Sequence, residues 1–147
     1  MKALIKTSAL LLSLAASSAY AQRPDGQTHT PVRLQPEAAV SATTTIRTSG
    51  MPMYTVAAED FRNNPALALS DAGCRLQSLL VSAQPDHGDY VQIGTWSNAD
   101  ATGRFVMRGE QYNGLLVPGT RIFLDNIAVR GADGQELPEQ TAIIVLR

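Results

Sequence analysis

The chain has 147 residues, 44% hydrophobic and 17% charged, with a formal net charge of −1. Its cations form no run or stripe, whereas nucleic acids and anionic membrane surfaces are bound through clustered cations; neither partner is expected. Cys74 is the only cysteine, so no internal disulfide can form and stability has to come from an apolar core.

Residues 1–21 have the three parts of a secretory signal peptide: Lys2 and Lys6, an apolar middle over 9–16, and Ala19-Tyr20-Ala21 as a cleavage site before Gln22. Ser13, Ser17 and Ser18 interrupt the apolar run, which falls short of the roughly 20 residues that cross a bilayer. The expected product is exported, periplasmic or secreted, with no integral membrane segment after cleavage. Lys2 and Lys6 are the only lysines, so their removal takes the formal charge to −3 and leaves arginine as the only basic residue type apart from histidine.

Residues 22–52 are rich in Pro, Thr, Ser, Gln and Ala, punctuated by Pro24, Pro31, Pro36 and Pro52. This composition predicts a flexible N-terminal arm, since it buries too little apolar surface to offset the entropy of ordering, with a weak strand around 43–47. From residue 53 the pattern is one of short strands and turns. A first strand is expected over 53–57. Asn64-Pro65 ahead of Ala66-Leu67-Ala68-Leu69 predicts a cap and first-turn proline opening a short helix. A long strand over 75–83 ends at the turn Pro85-Asp86-His87-Gly88. The next strand, 90–96, is expected to carry Tyr90, Gln92, Gly94 and Trp96 on one face and Val91, Ile93 and Thr95 on the other.

A polar loop over 98–103 and a returning strand over 103–108 complete an expected hairpin. A helical turn is preferred over 110–116, and Pro118-Gly119 turns the chain into a strand over 120–130. That strand is expected to split its side chains, with Ile122 and Leu124 on one face and Phe123, Ile127 and Val129 on the other. A final strand, 142–146, is apolar at every position and suits a central place in a covered sheet. The fold class is mainly β: a compact Ig-like or related β-sandwich of about six strands with one or two short helices.

Little here carries chemistry. Asn98-x-Asp100-x-Thr102-Gly103 has oxygen ligands at alternate positions, but the twelfth position, where a calcium loop needs a bidentate glutamate, is Gly109. A polar loop is the better reading, and no metal or cofactor is expected. Asp86-His87-Gly88-Asp89 sets a histidine between carboxylates, as a general base needs, and equally meets the demands of a turn. Cys74 opens an apolar run and reads as a small buried hydrophobe, with a reactive thiol as the alternative. Glu59 and Asp60 read as solvated surface or helix-start charge. No G-x-S-x-G, H-E-x-x-H or phosphate-cradling loop occurs, so no catalytic residue is assigned. Trp96 beside the polar loop is the candidate partner contact, because exposed tryptophan is favoured at binding hot spots.

The run over 75–83, the Gly103-Arg104-Phe105 entry and above all residues 119–146 come in an order that resembles the C-terminal domain of GldM, the periplasmic motor-shaft family of type IX secretion and gliding motility. The closest part is a glycine turn at Gly119, a strand containing Asn126-Ile127, a turn through Asp133-Gly134 and the last apolar strand. Thr120 stands where the family usually has an acidic residue, and the family's full-length members add a transmembrane helix and further periplasmic domains. The resemblance implies a β-rich domain over 53–147 that works through protein contacts in the cell envelope and supplies no catalytic residues. The expected function is therefore a non-enzymatic interaction or structural module, accessory to type IX secretion, gliding motility or envelope assembly. The alternatives are a small periplasmic hydrolase or metal-dependent enzyme using His87 with Asp86, Asp89 or Cys74, and a carrier for an apolar ligand held between sheets.

Overall fold

The computed structural model describes residues 31–38, 43–46, 50–97 and 104–147. Nine strands in these residues form two sheets. In the smaller sheet, β4 (Ala66–Leu69) lies between β1 (Leu34–Pro36) and β7 (Arg104–Val106), all antiparallel. The larger sheet runs in the order β2 (Thr43–Ile46), β3 (Pro52–Val56), β9 (Gln140–Leu146), β8 (Arg121–Arg130), β5 (Arg75–Gln84), β6 (Val91–Ser97). Its pairs are antiparallel except β3 with β9. Leu34, Leu67 and Phe105 of the small sheet join Tyr54, Leu79, Ile122 and Ile144 of the large one in a single buried cluster. The architecture is a β-sandwich, with the helix α1 (Ala58–Asn63) and a 3-10 turn at Glu110–Tyr112.

The apolar run of β9 has the central place its composition demands. Ala142, Ile143, Ile144 and Leu146 are all buried, and the strand has a hydrogen-bonded neighbour on each side. Its end also holds β3, α1 and the turn before β8 in place. Arg147 donates its N–H to the Val56 carbonyl and accepts from Ala58 at the start of α1. Leu146 donates to Thr120 and accepts from Gly119.

Four expectations are corrected. First, residues 66–69 are a strand rather than a helix. The helix lies just before them, carries Glu59 and Asp60 in its first turn and stops ahead of Pro65. Proline ended a helix here instead of opening one, which the sequence pattern alone does not distinguish.

Second, the expected arm contributes to the sandwich. Leu34 is 1% exposed and pairs with Leu69, while Ser70 donates to the Arg33 carbonyl. Prolines did not prevent this, because Pro36 lies on the edge strand β1 and Pro52 opens β3, the two kinds of strand position that tolerate a missing N–H donor. The weak strand expected at 43–47 is β2. Residues 1–30, which include the expected leader, lie outside the described residues.

Third, β6 and β7 do not pair as a hairpin. The chain leaves the large sheet after β6 and re-enters as an edge of the small one. The connecting residues 98–103, with the alternating oxygen ligands, lie outside the described residues.

Fourth, Ile127 and Val129 of β8 share the core face of Ile122 and Leu124, and Phe123 alone of the five lies on the other. Ile122, Leu124, Ile127 and Val129 are all at most 2% exposed. The cause is a bulge: Asp125 and Asn126 occupy β8 where β9 has only Thr141, between the pairs Leu124–Ala142 and Ile127–Gln140. One extra residue reverses the side-chain parity beyond it. Asn126 sits at φ 50°, in the left-handed region that asparagine tolerates better than other non-glycine residues.

Replacing Asn126 with valine should therefore destabilise the fold by roughly 1–3 kcal/mol, whereas glycine should be nearly neutral. Equal denaturation midpoints for the two variants would show that the bulge does not need this backbone conformation. Ile144→Ala should cost about 2–5 kcal/mol, a large part of the roughly 5–15 kcal/mol that such a domain has, and chemical denaturation would measure it.

Candidate interaction surface

Strand β6 is Val91-Gln92-Ile93-Gly94-Thr95-Trp96-Ser97 and carries no charge. It lies at one end of the large sheet and, among the described strands, pairs only with β5. An edge strand presents a row of unpaired backbone N–H and C=O groups, which natural proteins usually guard with lysine, proline or a bulge. β6 has neither lysine nor proline, and its ladder to β5 carries a bulge. Val81 pairs with Gly94 and Ser82 with Gln92, leaving Ile93 as the extra residue. Gly94 takes φ 148° there, and a side chain added to it would meet nothing within 4 Å.

The bulge also corrects the expected faces of this strand. Residues directly opposite in a sheet share a face. Val91, Gly94 and Trp96 oppose Ala83, Val81 and Leu79, all core residues, so they lie on the core side. Gln92 and Thr95 lie on the other. Trp96, the candidate partner contact, is half-buried and packs on Phe105, with ring centroids 4.8 Å apart and planes at 51°. Since β6 and β7 are edges of different sheets, this pair closes one side of the sandwich. Trp96 is thus first a packing residue.

The exposed apolar surface lies at the opposite end of the strand. Tyr90 and Val91 are 54% and 45% exposed and are the large hydrophobics most open to solvent among the described residues. The Tyr90 ring is held by Phe123 of β8, at 5.5 Å between centroids, so it is a supported aromatic beside a strand edge. Neither residue stood out in the sequence, because Tyr90 and Val91 read there as ordinary members of an alternating strand.

His87 occupies the turn before Tyr90 at φ 57°. Its side chain is 94% exposed, 3.5 Å from the Asp86 carboxylate. The small cleft beside it, about 120 Å³, is lined by Gln84, Asp86, Gly119 and Arg121 among others and contains no hydroxyl or thiol side chain. Cys74 precedes β5 and His87 follows it, so the ten residues of the strand separate them by about 30 Å at ~3.3 Å per residue. The two do not form a nucleophile–base pair. Cys74 is buried in the core, as its apolar setting suggested. Among the described residues, no group of three or more His, Cys, Asp or Glu could hold a metal ion, and no helix is long and apolar enough to cross a membrane.

No protein-family model matches this chain, and no curated protein matches it as a relative.

Burial, reinforced by the charge of Asp71, pushes the Cys74 thiol above its ordinary value. With the folded value raised, the thiol's contribution to stability is complete below the unfolded value and is lost as pH rises through the folded one. Burial also raises the phenols of Tyr54 and Tyr112, so the thiol has to be isolated by comparison. The unfolding midpoint of Cys74→Ala should fall less steeply with alkaline pH than that of the parent protein, and parallel slopes would refute the assignment.

Proposed function

We propose that this protein is an exported, non-enzymatic interaction module that receives an extended segment of a protein partner along β6. The observation that carries the reading is the pairing of an uncharged sheet edge with Tyr90 and Val91 at its entry, the former braced by Phe123. Strand addition draws affinity from main-chain hydrogen bonds and selectivity from side chains beside the edge. The outward face of β6 offers Gln92 and Thr95, both exposed, and Tyr90 supplies an aromatic anchor of the kind enriched at binding hot spots. The separation of His87 from Cys74 supports a contact role over the hydrolase alternative.

The signal-like residues 1–21 support export to the periplasm or beyond. The resemblance of residues 119–146 to the GldM C-terminal domain supports an envelope setting, as an accessory to type IX secretion, gliding motility or envelope assembly. Torque transmission is not part of the proposal, because in that family it depends on a transmembrane helix.

Val91→Lys with Thr95→Lys should leave a cooperative unfolding transition and abolish recovery of the envelope partner on immobilised protein. His87→Ala with Cys74→Ser should recover it normally and retain the cellular phenotype. A folded β6 double variant that captures partner at the parental level would overturn edge recognition. A folded His87/Cys74 variant that captures partner but loses the phenotype would favour the enzyme.

A further inference from the structure

Away from β6, α1 and the 3-10 turn line an open cleft of about 270 Å³. Its polar groups are Arg62 and Asn63 from α1, Arg108 from the residues after β7, and Tyr112 and Asn113 from the 3-10 turn and the residue after it. Pro65, Met107 and Leu116 form the apolar part of the wall. No carboxylate lines it. Two arginines therefore line one small space from which carboxylates are absent, in a protein whose net charge is negative.

The guanidinium of Arg62 is held in place. Its Nε and Nη2 donate to the Leu116 carbonyl at 3.3 and 3.0 Å. A neutral carbonyl fixes the group without cancelling its charge, and of the five N–H donors of a guanidinium these two bonds leave about three. Arg108 takes no part in the ion pairs of the described residues, which join His87 to Asp86, Arg104 to Glu37 and Arg130 to Glu136. Tyr112 is 8% exposed, and burial raises its phenol above the ordinary value, so it stays neutral at physiological pH. Gly109, at φ 122°, lets the chain turn between Arg108 and the 3-10 turn in a backbone conformation that residues with a side chain rarely adopt.

We propose that this cleft binds a carboxylate that carries a short aliphatic group. Planar guanidinium groups match a carboxylate through paired, charge-assisted hydrogen bonds, and Pro65, Met107 and Leu116 give an aliphatic substituent an apolar surface. A volume just under the roughly 300–1,000 Å³ of whole-ligand pockets suits such an end group. Its source is either a free small acid or the C-terminal residue of a polypeptide. This site is separate from β6 and does not rest on the edge-binding reading.

The test is an NMR titration of isotopically labelled protein with four probes: N-acetyl-leucine, its uncharged amide, an acetylated tetrapeptide ending in leucine with a free carboxylate, and inorganic phosphate. Saturable shifts of the Arg108, Gly109 and Asn113 amides are expected with the two carboxylates and not with the amide. Tighter binding of the tetrapeptide identifies a polypeptide terminus as the source, and equal or weaker binding identifies a small acid. Arg108→Gln, a surface change, should weaken binding about tenfold or more with an unchanged melting midpoint. Arg62→Gln should weaken binding and also loosen α1, so Arg108 is the decisive variant. The proposal is overturned if the amide shifts the same residues as strongly, if phosphate binds while the carboxylates do not, if no probe shifts them at millimolar concentration, or if folded Arg108→Gln binds with parental affinity.

Discussion

The structure depends on one strand. β9 joins β3, in parallel, to β8, in antiparallel order, so the two halves of the large sheet meet only through it among the described strands. A parallel neighbour cannot be reached by a tight turn, and the partners Met53 and Ile143 lie far apart in the chain. Loop-closure entropy opposes such a contact until apolar burial rewards it. That reward is available because β9 buries side chains on both faces, Ile144 toward the small sheet and Ile143 away from it. Its end then fixes the first residue of α1 and the turn at Gly119. Arg62 on that helix reaches the Leu116 carbonyl, so the geometry of the arginine cleft is inherited from the placement of β9.

The long elements were legible in the sequence because burial writes itself as apolar periodicity. The strands expected over 75–83, 90–96, 120–130 and 142–146 are all present within a residue or two of those bounds, as is the turn at Pro85. Parity within a strand was not. A bulge is one additional residue, and apolar alternation interrupted by one residue looks the same as alternation divided between two faces. In β8 the hint was Asn126, a residue tolerant of positive φ, in the middle of an apolar run; in β6 it was Gly94. As bulge positions, both place Ile122, Leu124, Ile127 and Val129 on one side and turn Trp96 to the core side. The exchange of helix and strand on either side of Pro65 has a similar origin, since a proline is compatible both with the first turn of a helix and with the residues that follow one.

Surface sites were less visible, because they are assembled by topology. Tyr90 becomes conspicuous only once Phe123 lies beneath its ring and β6 proves to be an edge. Arg62 and Arg108 are brought together because β4 pairs with β7: the ladder from Ala68–Arg104 to Ala66–Val106 carries the chain back beside α1, and Met107 donates to the Pro65 carbonyl. In sequence they are two scattered arginines. Dispersed cations argue against extended polyanions, which require many contacts. They do not argue against a small anion, for which two guanidinium groups suffice.

The use of arginine in the described residues gives that distinction physical content. On the small sheet, Arg104 reaches over β4 to Glu37 with bonds of 2.6 and 2.8 Å, where a paired fork meets a paired acceptor and the charges cancel. Arg130 lies 4.0 Å from Glu136 at the surface, an exposed arrangement that contributes little. Arg62 differs from both in being oriented by a neutral acceptor. Orientation without neutralisation is what a binding group needs: the side chain's rotational freedom has been given up during folding, and less remains to be lost when an anion arrives. A lysine at this position would present one compact point charge and could not bond the carbonyl and still offer a planar face of donors. The arginine-only cation set beyond residue 21 thus has a structural use in this cleft, where the guanidinium serves as a brace for α1 and as a charged surface at the same time.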